Sequence, residues 1–330
     1  MKAFTLKVTV TVFVVIALVM CYNYKFDTSG VYNKDFSVPR TEPNQHIVKM
    51  EYLLDNPSKY DAYCFGSSRV GNIDLQKIHN GYAYYNMTYS EGLPKEWLDD
   101  IKILLRNNVK IKQILLGLDD FSFRVDPQRH NSQYGRIPYR ESGFREYIPY
   151  LLKPPSLPSN DVKSMSLYDI YDSGRPLHPW ADERIEEDIE AHMNSPVFSK
   201  GMSYSGNRIK QAIQEIKEIK DIAEAHNIEL IVFINPINLV TYRANNLDEF
   251  DEFKRELAEV TDFYDFSGAN AITGNNYYYY ETSHYRPMVG DMIVKRIFEM
   301  PKEGNEGFGA WVTKANVEEH LKKLNEDLAR

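Results

Sequence analysis

The amino-acid sequence predicts an α/β protein built on a parallel β-sheet with helices on both faces. Short and almost continuously apolar runs, typical of strands buried on both faces, alternate with segments of helical period. At 330 residues the chain is long enough for one large α/β domain. Its composition, 43% hydrophobic and 26% charged, is that of a globular protein rather than a disordered or fibrous one.

The N-terminal segment is uncharged from Val8 to Cys21, and Lys2 and Lys7 precede this run. It is interpreted as an uncleaved signal-anchor, a cleaved signal peptide or a buried helix of a soluble protein. The residues before Cys21 lack the small-x-small pattern of a cleavage site, which favours a transmembrane signal-anchor over residues 1–22. The lysines before the span predict a single-pass protein of the cell membrane with its domain on the extracytoplasmic side.

The strands and helices of the predicted domain alternate along residues 58–300. The five predicted strands are Tyr60–Gly66, Tyr82–Met87, Ile111–Gly117, Ile228–Ile234 and Asp262–Phe266. The predicted helices are Pro94–Asn107, Asn207–His226, Leu247–Val260 and Pro287–Phe298, whose apolar residues recur at helical spacing.

Three further segments complete the predicted organisation. Residues 23–57 are polar and contain three prolines, which predicts a stalk linker. Residues 121–206 hold 9 of the 16 prolines and break the alternation, which predicts a long insertion after the third strand, packed over the sheet. Residues 301–330 are predicted to be a C-terminal extension that ends in an amphipathic helix, Ala315–Leu328.

Charge and composition exclude several classes of function. A net charge of −8 argues against nucleic-acid binding through a basic face. Two cysteines, Cys21 and Cys64, cannot build a zinc cluster, an iron–sulfur site or a disulfide framework, and Cys64 lies in an apolar run that predicts its burial. The sequence carries no P-loop and no Rossmann glycine signature, so we expect neither a nucleotide cofactor nor a metal.

Residues just after the strands are the candidates for chemistry, because sites in open parallel sheets form at the carboxyl ends of strands. Ser67 and Ser68 follow the first strand at a predicted strand-to-helix turn, where N–H groups of the helix can stabilise an oxyanion. His284 could take the serine proton, and Glu281, three residues earlier, could orient it. The alternatives are a serine that caps a helix and a histidine that only packs.

Three blocks of the sequence resemble the SGNH (GDSL-like) hydrolase superfamily. They are Phe65-Gly66-Ser67-Ser68, Gly117-Leu118-Asp119 and Glu281-Thr282-Ser283-His284-Tyr285. The resemblance implies a flavodoxin-like fold over residues 60–300, with five parallel strands in the order 2-1-3-4-5 flanked by helices. The chain more specifically resembles the exported, membrane-anchored SGNH-like proteins of bacterial exopolysaccharide O-acetylation systems.

The resemblance also implies roles for individual residues. Ser68 matches the nucleophile, His284 the base, and Glu281 stands where the family usually has Asp. The second block, whose amide joins the oxyanion hole, is sought among Asn86, Ser90 and Gly92. The remaining oxyanion candidates are Gly117 and Asp119, which stands where many members have an Asn donor. Apart from the resemblance, Arg69 is a candidate from its position on the turn after Ser68, where it would bind a substrate anion or form a salt bridge.

The function implied by the resemblance is serine O-acyl transfer, most simply of acetyl, to a cell-surface or extracellular polysaccharide through an acyl-Ser68 intermediate. The expected partners are the polysaccharide acceptor, an acyl donor supplied through a membrane-bound O-acyltransferase, and the membrane. An acetylesterase acting on the same carbohydrate is one alternative. A non-catalytic polysaccharide-binding or scaffold subunit of an export complex is the alternative from another class.

Overall fold

A computed structural model of the chain describes residues 2–35, 43–141, 147–155, 167–303 and 308–329. Its strands are β1 (Ala62–Phe65), β2 (Tyr84–Asn86), β3 (Gln113–Leu118), β4 (Leu167–Tyr168), β5 (Pro176–Leu177), β6 (Glu229–Ile234), β7 (Phe263–Asp265) and β8 (Ala310–Val312). Strands β4 and β5 form a small antiparallel hairpin, and the other six form the central sheet in the order β2-β1-β3-β6-β7-β8.

The central sheet is mostly parallel, which confirms the predicted α/β class. Strands β1, β2, β3, β6 and β7 run parallel, and each of them coincides with a predicted strand. The expected number of five strands was wrong, because β8 adds a sixth strand antiparallel to β7 at the edge of the sheet. Strand β8 lies in the predicted C-terminal extension, where three residues, Ala310–Val312, are too few to show an alternating pattern.

The sheet is covered by helices and short 3₁₀ turns. The α-helices are α1 (Lys2–Phe26), α2 (Gln45–Asp55), α3 (Pro94–Arg106), α4 (Ile148–Leu152), α5 (Pro179–Glu187), α6 (Ile189–Met193), α7 (Ile209–Ala225), α8 (Leu239–Ala244), α9 (Leu247–Val260), α10 (Pro287–Phe298) and α11 (Val317–Leu328). All five helices predicted after residue 57 are present, with ends within two residues of those expected.

Alternate residues of each strand supply the two cores. In β1, Tyr63 and Phe65 pack in the larger core against α2, α3, α7, α9 and α11. Ala62 and Cys64 belong to the core on the other face, which α10 and the 3₁₀ turns that follow β1 cover. Cys64 is fully buried, as its apolar surroundings predicted. The sheet is therefore apolar on both faces, which leaves its carboxyl edge as the place for polar side chains.

The predicted stalk, 23–57, is not a linker in the part that the structure describes. Helix α2 buries Met50 and Leu53 in the larger core, and Asn44 caps its first turn by accepting the Ile47 amide at 2.9 Å. The apolar face of this helix was not recognised in the sequence, because polar residues and prolines surround the helix. Residues 36–42 of the predicted stalk lie outside the described residues.

The N-terminal helix α1 is long and apolar enough to cross a membrane. Its side chains are mostly exposed up to Cys21. At its C-terminal end, the side-chain Nδ2 of Asn23 donates to the carbonyls of Leu151 and Lys153, both at 2.8 Å. Just after the helix, Lys153 Nζ donates to the hydroxyl of Ser29 at 2.9 Å. The end of α1 is therefore bonded to α4, and a truncation made to obtain the domain alone should retain Asn23 onward.

The segment between β3 and α7 contains the predicted insertion. It forms α4, the β4–β5 hairpin, α5 and α6, while residues 142–146 and 156–166 lie outside the described residues. Helix α5 also contacts the residue just before α10, because Asp182 and Glu186 pair with the Arg286 guanidinium at 2.8 and 2.6 Å.

Candidate active site

The turn after β1 presents Ser68 at the carboxyl edge of the sheet. Gly66 has no space for a side chain, since a Cβ there would lie 2.5 Å from Val70 Cγ2. Both Ser67 and Ser68 border a cavity, but Ser67 is buried and its Oγ accepts the backbone N–H of Arg69 at 3.2 Å, whereas Ser68 is half-buried. The chain then enters one 3₁₀ turn, Val70–Asn72, instead of the expected α-helix, so no long helix dipole acts on Ser68.

Ser68, His284 and Glu281 come together as the sequence predicted. The Oγ of Ser68 lies 2.8 Å from His284 Nε2, and His284 Nδ1 contacts Glu281 Oε1. The carboxylate of Glu281 also accepts the backbone amides of Ser283 at 2.7 Å and of His284 at 2.9 Å. Burial acts to raise the pKa of Glu281, but the bonds from His284 and the two amides outweigh it and lower this pKa.

The loop that carries Glu281 and His284 is held by the core. Tyr279 and Tyr285 pair across it as an isolated β-bridge, and both side chains are fully buried. The hydroxyl of Tyr285 donates to Asn235 Oδ1 at 3.1 Å, which ties the loop to the residue after β6. A base that must meet a serine 216 residues away in sequence is therefore placed by buried contacts.

Arg69 and Asp119 form a buried ion pair behind the serine. Arg69 Nη1 lies 2.9 Å from Asp119 Oδ1 and 2.5 Å from Asp120 Oδ1, and all three side chains are inaccessible to solvent. Of the two roles predicted for Arg69, the structure has the salt bridge. Asp119 is paired with the guanidinium, and although burial raises the pKa of Asp119, the charge of Arg69 opposes this change.

Three predicted oxyanion residues support the backbone rather than reach the cavity. The side-chain amide of Asn86 donates to the Val70 carbonyl at 3.2 Å. A Cβ on Gly92 would lie 2.6 Å from the Gly66 carbonyl oxygen, and one on Gly117 would lie 2.5 Å from Val70 Cγ2. None of the three lines the cavity, and the backbone N–H groups of Asn86 and Gly92 already donate to the carbonyls of Ser173 at 2.9 Å and Tyr89 at 3.3 Å. The structure therefore does not place these residues where an oxyanion would form.

Ser90 lines the same cavity as Ser68. Within the part of the chain that the structure describes, neither the Ser68 nor the Ser90 backbone N–H donates to a protein acceptor. The hydroxyl of Ser90 accepts a hydrogen bond from Arg136 Nε at 3.1 Å. Because both residues line the cavity, the backbone N–H groups of Ser68 and Ser90 are the candidates for contact with an oxyanion.

The backbone next to Ser90 is strained and held by charges. Glu91 has a φ of 51°, in the left-handed region that costs a non-glycine residue about 1 kcal/mol. Its carboxylate pairs with Arg136 Nη1 at 2.7 Å and accepts the hydroxyl of Tyr204 at 3.1 Å. Sequence analysis missed these contacts, because Arg136 and Tyr204 lie in the insertion and carry no local motif.

His130 is a fully buried histidine that contacts Glu91 and the neighbouring Glu96. Its Nδ1 lies 2.6 Å from Glu96 Oε1, and its Nε2 lies 3.6 Å from Glu91 Oε2. Burial acts to lower the pKa of His130, but the two carboxylates outweigh it and raise the pKa from 6.5 to about 9. His130 is therefore a buried cation at neutral pH.

The charge of His130 predicts a pH-dependent stability. Because its folded pKa lies above its unfolded value, the stabilisation is full below pH 6.5 and is lost as the pH rises through about 9. We expect the stability difference between the wild type and His130→Gln to shrink by about 2–3 kcal/mol between about pH 6 and pH 9. Urea unfolding of both proteins at each pH measures this difference.

Comparing the unfolding free energies of the two proteins cancels the contribution of other groups that titrate in this pH range, since both proteins contain them. Lys49 is one of them, since burial lowers its pKa to about 7, which acts in the opposite direction. A gap between the two proteins that stays constant with pH would show that folding does not raise the pKa of His130.

The cavity at Ser68 has a volume of about 440 Å³. Its wall is rich in side chains from the insertion, namely Phe121, Arg136, Tyr168, Pro176, His178, Ala181, Met202 and Tyr204. Of the tyrosine run Tyr277–Tyr280, Tyr280 lines the cavity, and its hydroxyl donates to Asp182 Oδ2 at 2.7 Å. Burial lowers the pKa of His178, and its electrostatic interaction with His284 acts in the same direction.

Among the described residues no group of three or more His, Cys, Asp or Glu side chains is placed to hold a metal ion. The site brings together a serine, a histidine, a carboxylate and two backbone N–H groups without a protein acceptor among the described residues. No protein-family model matches the chain, and no curated protein matches it significantly. The geometry of the site therefore carries the functional argument.

Proposed function

We propose that this protein is an SGNH-like serine O-acyltransferase that acetylates a polysaccharide through an acyl-Ser68 intermediate. The observation that carries the proposal is the hydrogen-bonded series Ser68–His284–Glu281, in which Ser68 Oγ and His284 Nε2 are 2.8 Å apart. A serine becomes nucleophilic when an adjacent base accepts its proton and a third group orients that base. Each of these three roles has one residue in the site.

Assignment to the SGNH superfamily is part of the same proposal. It is supported by the positions of its three blocks, which follow β1, end β3 and precede α10. The order of the parallel strands, β2-β1-β3-β6-β7, is compatible with the order expected of that fold. Strand β8 is an addition to the expected sheet.

In the first half of the reaction Ser68 Oγ attacks the acyl carbonyl carbon while His284 Nε2 takes the hydroxyl proton. Glu281 accepts a hydrogen bond from the Nδ1–H of His284 and stabilises the imidazolium that forms. The amides of Ser68 and Ser90 donate to the oxyanion. When the oxyanion collapses, His284 returns the proton to the leaving group, and the acyl group remains on Ser68 as an ester.

In the second half an acceptor hydroxyl attacks the acyl-Ser68 carbonyl, and His284 removes its proton. Collapse of the second oxyanion expels Ser68 Oγ, which recovers a proton from His284, and the acceptor leaves as an ester. If water attacks in place of the acceptor, the product is a free carboxylic acid. Which nucleophile wins depends on how well the cavity holds the acceptor and excludes water.

The cavity wall suits a neutral, polyhydroxylated acceptor. Its charged side chains are paired within the protein, Arg69 with Asp119 and Asp120 and Arg136 with Glu91, so none is left for an anionic substrate. Aromatic side chains of Tyr168, Tyr204, Tyr280 and Phe121 supply flat apolar surface, on which sugar rings can pack. These features support a carbohydrate acceptor.

The position of the protein is part of the proposal. Helix α1 would anchor the chain in a membrane with the domain on the extracytoplasmic side, where the acyl donor would come from a membrane-bound O-acyltransferase. Support comes from the length and apolar surface of α1 and from Lys2 and Lys7 before its uncharged run. An anchored enzyme would meet such a donor at a high local concentration.

Hydrolysis is the second candidate, because the site is partly open. The side chain of His284 is 37% exposed, which gives water a route to an acyl-Ser68 ester. An acetylesterase with the same three residues would then release acetate from the polysaccharide.

Mass spectrometry of an oligosaccharide acceptor, incubated with an activated acetyl donor and the full chain in detergent, separates the two. Transfer predicts an acceptor that gains the mass of acetyl groups at a rate that Ser68→Ala abolishes. Free acetate formed at a Ser68-dependent rate, with no gain of mass by the acceptor, would replace transfer by hydrolysis. No consumption of donor would contradict both enzymes and favour a scaffold.

A further inference from the structure

Arg69 is a fully buried arginine that follows the proposed nucleophile directly in the sequence. Its guanidinium donates in two directions at once. On one side Nε donates to the Ser283 carbonyl at 2.9 Å, and on the other Nη1 donates to Asp119 at 2.9 Å and to Asp120 at 2.5 Å. One side chain thus joins the loops that follow β1 and β3 to the loop that carries the proposed base.

The bond to Ser283 acts on the peptide unit between Ser283 and His284. The carbonyl of this peptide accepts Arg69 Nε, while its amide, which belongs to His284, donates to Glu281 at 2.9 Å. The peptide is therefore fixed at both ends. Because it leads directly into the His284 Cα, its orientation sets the direction from which the imidazole approaches Ser68.

The carboxylate side of Arg69 is fixed as firmly. Asp119 Oδ1 also accepts Asn235 Nδ2 at 3.1 Å, and Asp120 Oδ2 accepts Asn245 Nδ2 at 2.8 Å. Both carboxylates are fully buried, so a cation between them is required to offset the cost of burying them. A lysine could supply that charge, but its single ammonium cannot match the planar fork of donors that spans three partners.

We propose that Arg69 is a positioning residue for the acyl-transfer reaction, which holds Ser68 and His284 at hydrogen-bonding distance by tying the Ser283–His284 peptide to Asp119 and Asp120. This inference rests on the proposed function, since it needs Ser68 to react. Among the hydrogen bonds of the described residues, none joins Arg69 to Ser68 Oγ or to the imidazole, and Arg69 acts through the backbone of the His284 loop. Its expected effect is on the reactivity of the serine and not on the affinity for substrate.

The test compares Arg69→Lys with the wild type as full chains in detergent. The first readout is the rate at which a fluorophosphonate, a reagent that reacts with activated serines, labels Ser68. The second is the separation of kcat from KM with a nitrophenyl acetate substrate. Arg69→Lys should fold, label Ser68 at least about 10-fold more slowly and lower kcat by a similar factor, with KM within about twofold, because a small misplacement of reacting groups costs rate.

Arg296→Lys is the matched control. Arg296 is as buried as Arg69, but it donates to the carbonyls of Gly309, Pro301 and Lys302, none of which lines the cavity. This variant should lower the thermal midpoint without slowing the labelling of Ser68. Equal slowing in both variants would show a general loss of stability and would overturn the positioning role.

If Arg69→Lys does not fold, Asp120→Asn takes its place. It removes one charge from the carboxylate side, keeps the bonds from Arg69 to Ser283 and Asp119, and should slow labelling several-fold with KM unchanged. Labelling at the wild-type rate in whichever of these variants folds would overturn the inference and leave the proposed function intact. A wild-type Ser68 that resists the fluorophosphonate would overturn the proposed function and this inference together.

Discussion

Replacing Ser68 by alanine, or His284 by alanine, should each lower the turnover of an acetyl ester by about 10⁴-fold or more, because nucleophile and base act as one unit. Ser68→Ala removes the oxygen that carries the acyl group. His284→Ala leaves the hydroxyl in place but removes the proton acceptor 2.8 Å from it. Release of nitrophenol from nitrophenyl acetate measures both effects, and the double variant should be no slower than either single one.

Ser67→Ala is the control for the first prediction. Ser67 is 1% exposed, and its hydroxyl accepts the Arg69 amide rather than facing His284. We expect this variant to keep turnover within about tenfold of the wild type, since no reacting atom is removed. An inactive Ser67→Ala beside an active Ser68→Ala would show that the neighbouring serine is the nucleophile.

Glu281→Gln should keep the fold and lower the turnover by about 10²–10⁴-fold, because the orienting carboxylate no longer stabilises the imidazolium. The glutamine can still accept one amide through its carbonyl, so the loop should retain much of its shape. Its NH₂ group cannot accept a hydrogen bond from the Nδ1–H of His284 and instead favours the tautomer with the proton on Nε2. Nitrophenol release gives the rate, and circular dichroism with a thermal melt reports the fold.

Glu186→Gln is the matched control for Glu281→Gln. Glu186 lies on α5 and pairs at 2.6 Å with the guanidinium of Arg286. Arg286 is two residues after His284 in the sequence. Its side chain is half exposed, so removal of its charge should change turnover by less than about threefold. Similar losses in both variants would assign the effect to charge around the loop instead of to the bond with His284.

The parallel strands of the fold could be predicted because each is a compact apolar run. β3 and β6 are examples, as their registers pair Leu115 with Ile231 and Leu116 with Val232 in a core that covers both faces. The amphipathic helices α7 and α9 followed from their stripes in the same way. Strand β8 could not be predicted, since three residues at a sheet edge leave no periodic signal.

The prediction of a stalk failed at α2 for a related reason. Its polar composition resembles a linker, and its burial depends on partners far along the chain. Asn44, for example, is fixed by the hydroxyl of Tyr150, 106 residues away, at 2.6 Å. A contact of this range leaves no mark on local sequence, so only the folded chain shows that the domain begins before residue 58.

The three residues of the proposed reaction could be located from the sequence because they stand at strand ends and because Glu281 and His284 are three residues apart. The surroundings of the site could not. The sequence left two possible roles for Arg69, and only the structure shows that it pairs with Asp119 and Asp120. Glu91 and His130 are 39 residues apart in sequence, yet their side chains lie close together. Such contacts form only when the strand ends and the insertion come together in the folded chain.

Trapping of the acyl-enzyme tests the central claim most directly. The full chain would be mixed with an activated acetyl ester, quenched in acid and digested, and the peptides analysed by mass spectrometry. The account predicts one acetyl group on the peptide that contains Ser68, formed at the rate of the nitrophenol burst and absent from Ser68→Ala. Ester turnover that persists with no acetyl on Ser68, or with the acetyl on another residue, would contradict the account.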